Sequence, residues 1–239
     1  MSNREAFQEG SYYHVYNRGT EKRPIFMDEA DYQRFLIYLL ICNSRRDVRF
    51  LALKGKSFAE LAEWRGEPIV DICVYRLMPN HYHLVIRARK PSDISKFMQK
   101  AMTAYTKYFN RRHERDGVLF QGGFKANRVK DERHLLTLIA YVNLNELGKS
   151  GEWDAPLSDE EVRAVSTSPY GSLPDYLGVV RTQSLILSKG ILPPGFGAWP
   201  LATKSDFVEK APQALPLRPG TPSARTAAPW RLPSRRRRP

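Results

Sequence analysis

Residues 77–86, LMPNHYHLVI, place two histidines two positions apart at the start of a run of strand-forming residues. Pro79-Asn80 is a typical turn dipeptide, and residues 69–78 before it also favour a strand, so the stretch predicts a hairpin. Side chains alternate faces along a strand, so His81 and His83 should point to the same face. Two such imidazoles are either a pair of metal ligands or ordinary polar-face residues, and the motif alone leaves both interpretations open.

The segments around this hairpin alternate between strand and helix patterns. The predicted strands are short runs rich in β-branched and aromatic residues, and the predicted helices have apolar residues at every third or fourth position. The predicted strands cover residues 11–18, 69–78, 81–87 and 117–129, and the predicted helices cover residues 28–42, 57–64, 94–112 and 131–147. Gly122-Gly123 inside the last strand indicates a bulge or a close backbone approach. The order predicts an α+β, ferredoxin-like split βαβ fold with a central antiparallel sheet.

Composition divides the chain into three parts. Residues 1–148 hold the regular alternation of strand and helix patterns and should form one folded domain. Residues 149–202 contain short apolar pieces broken by prolines, which suggests an accessory region packed on that domain. Residues 203–239 are rich in Pro and Arg and hold no acidic residue after Lys210, which is typical of a disordered basic tail.

The formal charge of +13 indicates a polyanionic partner. No apolar run is long enough to span a bilayer, and residues 1–10 lack the apolar core of a signal peptide, so we expect nucleic acid and not a membrane as the partner. Cys42 and Cys73 lie in apolar segments and should be core side chains, and two cysteines cannot build a disulfide framework, so we expect a cytoplasmic protein. The cations expected to contact DNA are Arg18, Lys96, Lys100, Lys107, Arg111, Arg112, Lys125 and Arg128. A solvated face is the alternative for those on the helix at 94–112.

Four residues, taken together, suggest chemistry on a phosphodiester bond. Tyr141 and Asn145 are four apart in a predicted helix and therefore share one face. His81 and His83 could supply two metal ligands, Asn145 a neutral oxygen ligand, and Tyr141 a nucleophilic hydroxyl. Because a tyrosine has a pKa near 10, this chemistry needs a metal on the phosphate. His14, in the first predicted strand, is expected to be structural.

Five motifs, in this order, resemble the HUH-type single-tyrosine transposases related to IS200/IS605, and among them most closely the REP-associated tyrosine transposases. They are YHVYNRG at 13–19, LMPNHYHLVI at 77–86, KFMQ through YFN at 96–110, GVLFQGGFK at 117–125 and YVNLN at 141–145. The resemblance covers about residues 10–148. It implies that His81 and His83 are the HUH metal ligands, Tyr141 the nucleophile and Asn145 the third ligand.

The resemblance further implies Mg²⁺ or Mn²⁺ as cofactor and nicking and transfer of single-stranded DNA at hairpin, REP-like sites through a 5′-phosphotyrosine. The chain departs from the family pattern at Tyr82, where a smaller apolar residue is usual, and at Glu146, where many relatives have proline. Tyr105 and Tyr108 are rival nucleophiles. A DNA- or RNA-binding protein with an inert site and a nuclease that uses water are the alternative functions, and we expect a monomer rather than a homodimer.

Overall fold

A four-stranded antiparallel sheet forms the centre of the structure, a computed structural model that describes residues 6–48, 54–147 and 158–192. Its strands are β1 (Tyr12–Arg18), β2 (Val70–Met78), β3 (His81–Ala88) and β4 (Lys125–Arg128). They lie in the order β2-β3-β1-β4, and each neighbouring pair is antiparallel. This order is that of the split βαβ pattern, so the predicted fold class is confirmed. The predicted tail at 203–239 lies outside the described residues.

The helices are α1 (Glu29–Ile41), α2 (Phe58–Arg65), α3 (Asp93–Arg112), α4 (Glu132–Leu144), α5 (Asp159–Thr167) and α6 (Leu173–Tyr176). The first three lie within one residue of their predicted bounds, and α4 ends three residues before its predicted end. Helices α5 and α6 were not predicted. Asp28 caps α1 and Asp131 caps α4 through side-chain oxygens that accept backbone amides. Ser92 precedes α3 and makes no side-chain cap. No helix among the described residues is long and apolar enough to cross a membrane.

The two faces of the sheet carry different layers. Helices α1 and α3 pack on one face, where Val15, Tyr82, Leu84 and Tyr105 belong to the larger core cluster. Helix α4 packs on the other face, where Val74, Val85 and residues of α4 such as Ile139 form a smaller cluster. Strand alternation therefore turns every second residue of β1 and β3 toward α4.

The fourth strand is shorter than predicted. Residues 117–129 were expected to form one strand, but only Lys125–Arg128 pair with β1. The preceding loop is held against β1, because the Gln121 amide donates to the Arg18 carbonyl at 2.8 Å and the Asn17 amide group donates to the Gly122 carbonyl at 3.1 Å. Gly122 has a φ of +70°, a left-handed backbone conformation that favours glycine. This conformation explains the glycine, and no bulge is needed. The sheet irregularity lies in β2 instead, between Ile72 and Val74.

The described part of the C-terminal region covers the outer edge of β2. The Leu77 amide donates to the Tyr170 carbonyl at 2.8 Å, and the Ser172 amide donates to the Tyr75 carbonyl at 3.0 Å. An ion pair between Arg181 and Asp175, both largely buried, anchors the segment. An exposed edge strand invites pairing with another chain, so this cover removes one such edge.

Candidate active site

The α4 face of the sheet brings together the residues that the sequence proposed for catalysis. His81 and His83 project from the start of β3, and the register sets Arg18 opposite His81 and Tyr16 opposite His83. Tyr141 comes from α4, and Asn145 begins the 3₁₀ turn Asn145–Leu147 that follows it. Side chains more than 50 residues apart in sequence thus converge at one end of the sheet.

His81 is oriented by the hairpin turn. Its Nδ1 lies 2.7 Å from Oδ1 of Asn80, and the amide group of Asn80 donates to the Lys22 carbonyl at 3.1 Å. Since the amide nitrogen of Asn80 is used in that bond, its oxygen accepts the Nδ1 proton of His81. The lone pair of neutral His81 is then on Nε2, which lies 3.2 Å from Oδ1 of Asn145.

His83 is buried and is paired with a histidine of β1. Its Nδ1 lies 2.8 Å from Nε2 of His14, and the two ring planes are nearly parallel, at 18° to each other. Burial lowers the pKa of His14 to about 3 and holds the pKa of His83 well below its ordinary value. Burial also lowers the pKa of His81. All three imidazoles are therefore neutral at physiological pH, which is the state that binds metals.

Tyr141 contacts this histidine pair through its ring. The ring stands perpendicular to His83, with centroids 5.6 Å apart, and at 78° to His14, with centroids 6.0 Å apart. Burial raises the pKa of the Tyr141 hydroxyl, and a hydrogen bond with the Asn145 side chain opposes that shift. The hydroxyl is thus protonated at neutral pH, and its use as a nucleophile requires a site that accepts its proton or stabilises the product.

The rival tyrosines belong to the other side of the sheet. Tyr105 is fully buried among the residues between α1 and α3, and its hydroxyl donates to the Ile25 carbonyl. Tyr108 lies on the same helix, with its hydroxyl 3.2 Å from the Arg112 guanidinium. Because α3 packs on the face opposite to His81 and His83, neither hydroxyl belongs to the site.

The eight predicted DNA contacts fall into different environments. Arg18 and Lys125 lie on the site face, opposite His81 and Tyr16 respectively. Arg128 pairs with Tyr13 and therefore lies on the opposite face of β4. Lys96, Lys107 and Arg111 are exposed on α3.

The other two predicted DNA contacts, Lys100 and Arg112, have intramolecular partners, as does Arg18, whose Nε donates to Oε1 of Gln121. Lys100 donates to the carbonyls of Ser44 and Arg46 at 2.6 and 2.9 Å, and Arg112 pairs with Asp28 and Asp31 at 2.6 and 2.7 Å. Both side chains thus stabilise the fold, a role that the charge pattern did not indicate.

Two residues of the site were missed from the sequence. The ring of Tyr16 stacks on His14 at 4.7 Å and on His83 at 5.9 Å. His14 had been expected to be structural, yet it contacts a candidate ligand directly. Their two-residue spacing puts both on one face of β1, but only the pairing of β1 with β3 shows which residues they meet.

His81 and Asn145 are spaced as a nitrogen and an oxygen ligand of one divalent cation would be. When two ligand atoms bind one ion at right angles with bonds of ~2.1 Å, they lie roughly 3.0 Å apart. The observed distance between His81 Nε2 and Asn145 Oδ1, 3.2 Å, is close to this value. Both atoms carry lone pairs in the assigned tautomer, so a cation between them satisfies both. Among the residues described, no group of three or more His, Cys, Asp or Glu side chains is placed to hold a metal. Asn145, the candidate third ligand, does not belong to those four residue types, because its side chain is an amide.

The chain is similar to known proteins in both its sequence and its fold. The family model described as "Transposase IS200 like" matches residues 8–145. The chain is similar to a solved structure of a REP-associated tyrosine transposase bound to a REP hairpin, with 13% sequence identity and a TM-score of 0.46, over 77% of this chain and 89% of that one. A search of curated proteins finds no significant match.

Proposed function

The chain belongs to the IS200-like transposase family, and we propose that it nicks and transfers single-stranded DNA at hairpin sites through a covalent bond to Tyr141. Membership in the family indicates a DNA-binding role related to transposition and an enzyme of the transposase kind. The finer proposal names the strand, the site residues and the intermediate.

One observation carries the proposal. A tyrosine, two neutral histidines and an asparagine amide meet on one face of the sheet, although only the two histidines are neighbours in sequence. An arginine and a lysine, Arg18 and Lys125, lie beside them on the same face. A nucleophile, ligands for a cation and phosphate-binding side chains are the parts that phosphodiester transfer requires.

The proposed reaction is an in-line displacement at phosphorus. The Tyr141 Oη forms a bond to the scissile phosphorus, the bond to the 3′ oxygen breaks, and the hydroxyl proton of tyrosine is released as the 3′ oxygen gains one. The products are a free 3′-hydroxyl and a 5′-phosphotyrosine. Mg²⁺ or Mn²⁺ held by His81, His83 and Asn145 would polarise the phosphoryl oxygens when bound. A 3′-hydroxyl strand reverses the step without ATP.

The substrate is proposed to be single-stranded, with a hairpin beside the cleaved position, and REP-like palindromes are the proposed class of site. A flexible single strand can bend its backbone into a small site that a duplex would obstruct. Arg18 and Lys125 are proposed to hold the phosphates next to the scissile one. The exposed cations of α3 and the basic tail at 203–239 are proposed to add contacts that depend on charge rather than on base sequence.

We also propose a monomer in the cytoplasm, with residues 1–148 as the catalytic domain and 149–202 as an accessory region. The cover on the outer edge of β2 supports the monomer, since that edge is not available to a second copy.

The test is covalent capture. End-labelled single strands with a hairpin are incubated with the protein and Mg²⁺ or Mn²⁺, denatured in detergent and separated on a gel. A labelled protein band that EDTA prevents supports the proposal. Hairpin binding without any cleavage would make the protein a binding module with an inert site. Cleavage without a labelled band would make it a nuclease that uses water.

A further inference from the structure

His14 lies within hydrogen-bonding distance of His83 and is enclosed by aromatic rings. Its Nε2 lies 2.8 Å from His83 Nδ1, its ring lies within 18° of the His83 plane, and Tyr16 stacks on it at 4.7 Å. The Tyr141 ring approaches its edge from another side. Burying two imidazoles is costly unless their nitrogens are paired. The ring packing therefore holds His14 in a hydrogen-bonding position.

The direction of this hydrogen bond decides what His83 can do. A neutral imidazole carries one proton, so one nitrogen donates and the other has a lone pair. If His83 donates its Nδ1 proton to His14, its Nε2 keeps a lone pair that can bind a cation. If His14 donates instead, His83 carries its proton on Nε2 and cannot bind a cation through that nitrogen.

The neighbouring ligand shows the same arrangement with a different partner. His81 donates its Nδ1 proton to Asn80, whose amide is fixed by the Lys22 carbonyl, and so presents Nε2 to Asn145. Metal-binding histidines commonly donate their second ring proton to an acceptor that orients the ring. For His83, His14 occupies the place that Asn80 occupies for His81.

We propose that His14 is a positioning residue, which accepts the Nδ1 proton of His83 and thereby holds His83 Nε2 as the ligand nitrogen. The inference rests on the metal site of the proposed function. In this role His14 acts through His83 and is not itself a ligand of the cation.

The experiment compares wild type with His14→Gln and His14→Phe. The Gln amide oxygen can reach a place similar to that of the His14 nitrogen and accept the proton, whereas Phe preserves a ring for Tyr16 to stack on but accepts no hydrogen bond. Nitrogen-15 NMR of the imidazoles, without metal, identifies which nitrogen of His83 bears the proton. Calorimetric titration with Mn²⁺ measures the dissociation constant, and thermal unfolding without metal reports on the fold.

We expect the proton on Nδ1 of His83 in wild type and in His14→Gln, and on Nε2 or on both nitrogens in His14→Phe. The Mn²⁺ dissociation constant should rise by about 10- to 100-fold in His14→Phe and by much less in His14→Gln. A role in packing alone would lower the unfolding temperature and leave the tautomer and the Mn²⁺ constant unchanged, and that result would overturn the proposal.

A proton on Nε2 of His83 in the wild type would also overturn the proposal. This NMR measurement needs only the wild-type protein, so it is decisive even if His14→Phe does not fold. The same measurement separates this inference from the proposed function. A wild-type protein that bound no Mn²⁺ would contradict the proposed metal site and with it the ligand role of His83. The metal-free tautomer would still decide whether His14 accepts the proton.

Discussion

Removing the hydroxyl of Tyr141 should separate catalysis from folding. Tyr141→Phe preserves the ring and its perpendicular contacts with His83 and His14. It removes only the oxygen and the hydrogen bond with Asn145. Such a bond contributes about 0.5–1.5 kcal/mol, and a half-buried hydroxyl belongs to the lower end of that range. The unfolding temperature should therefore fall by only a few degrees.

The effect of Tyr141→Phe on activity should be much larger than its effect on stability. Loss of a nucleophile in a covalent mechanism lowers the rate by a factor on the order of 10⁴ to 10⁶, so no labelled adduct should be seen. Hairpin affinity, measured by gel shift, should stay near that of wild type. The assay is the detergent-stable adduct, followed by protease digestion and mass spectrometry of the labelled peptide.

Tyr16→Phe is the matched control. Tyr16 loses the same atom in this variant, and its ring stacks on His83 at 5.9 Å on the same face of the sheet as Tyr141. This variant should still form the adduct on Tyr141. An undiminished adduct in Tyr141→Phe, mapped to Tyr16, would refute the choice of nucleophile but keep the reaction class.

Three further predictions test the site and the fold. Alanine at either His81 or His83 should abolish cleavage while hairpin binding persists, and undiminished cleavage by both variants would contradict the metal site. Gly171→Ala should cost about 1–3 kcal/mol in urea unfolding, because its Cβ would overlap the buried Arg76 guanidinium, whereas Gly123→Ala meets nothing within 4 Å and should be near neutral. Asp28→Asn, which keeps the helix cap, should reduce the loss of stability in acid. The hydrogen bond from Arg112 lowers the pKa of Asp28 in the folded state. The stability that Asp28 contributes is therefore complete above the unfolded-state pKa of about 3.9 and is lost as the pH falls through the folded-state pKa. An unchanged acid limb would contradict that assignment.

Much of the site was predictable because its spacings are local. The two-residue period of a strand places His81 and His83 on one face, and the helical period does the same for Tyr141 and Asn145. Pro79-Asn80 marked the hairpin turn, and the structure forms it between β2 and β3. The order of strand and helix patterns also predicted the split βαβ fold.

Other features depend on contacts between distant parts of the chain. The strand predicted over 117–129 shortens to Lys125–Arg128, because the residues before it are held against β1 in a loop. Lys100 and Arg112 looked like a cationic face, but carbonyls and carboxylates of other segments engage them. Charge patterns along one helix do not show which distant groups will approach it.

The sequence by itself determined which residues share a face within each element, since alternation and helical pitch are properties of the local backbone. Only the tertiary structure decided that β1 lies beside β3 in the register that sets Tyr16 opposite His83 and brings His14 to its ring. Only the packing of α4 against Val74 and Val85 placed Tyr141 over the same face. Strand register and helix docking follow from the burial of side chains that are far apart in sequence, and no local period encodes them.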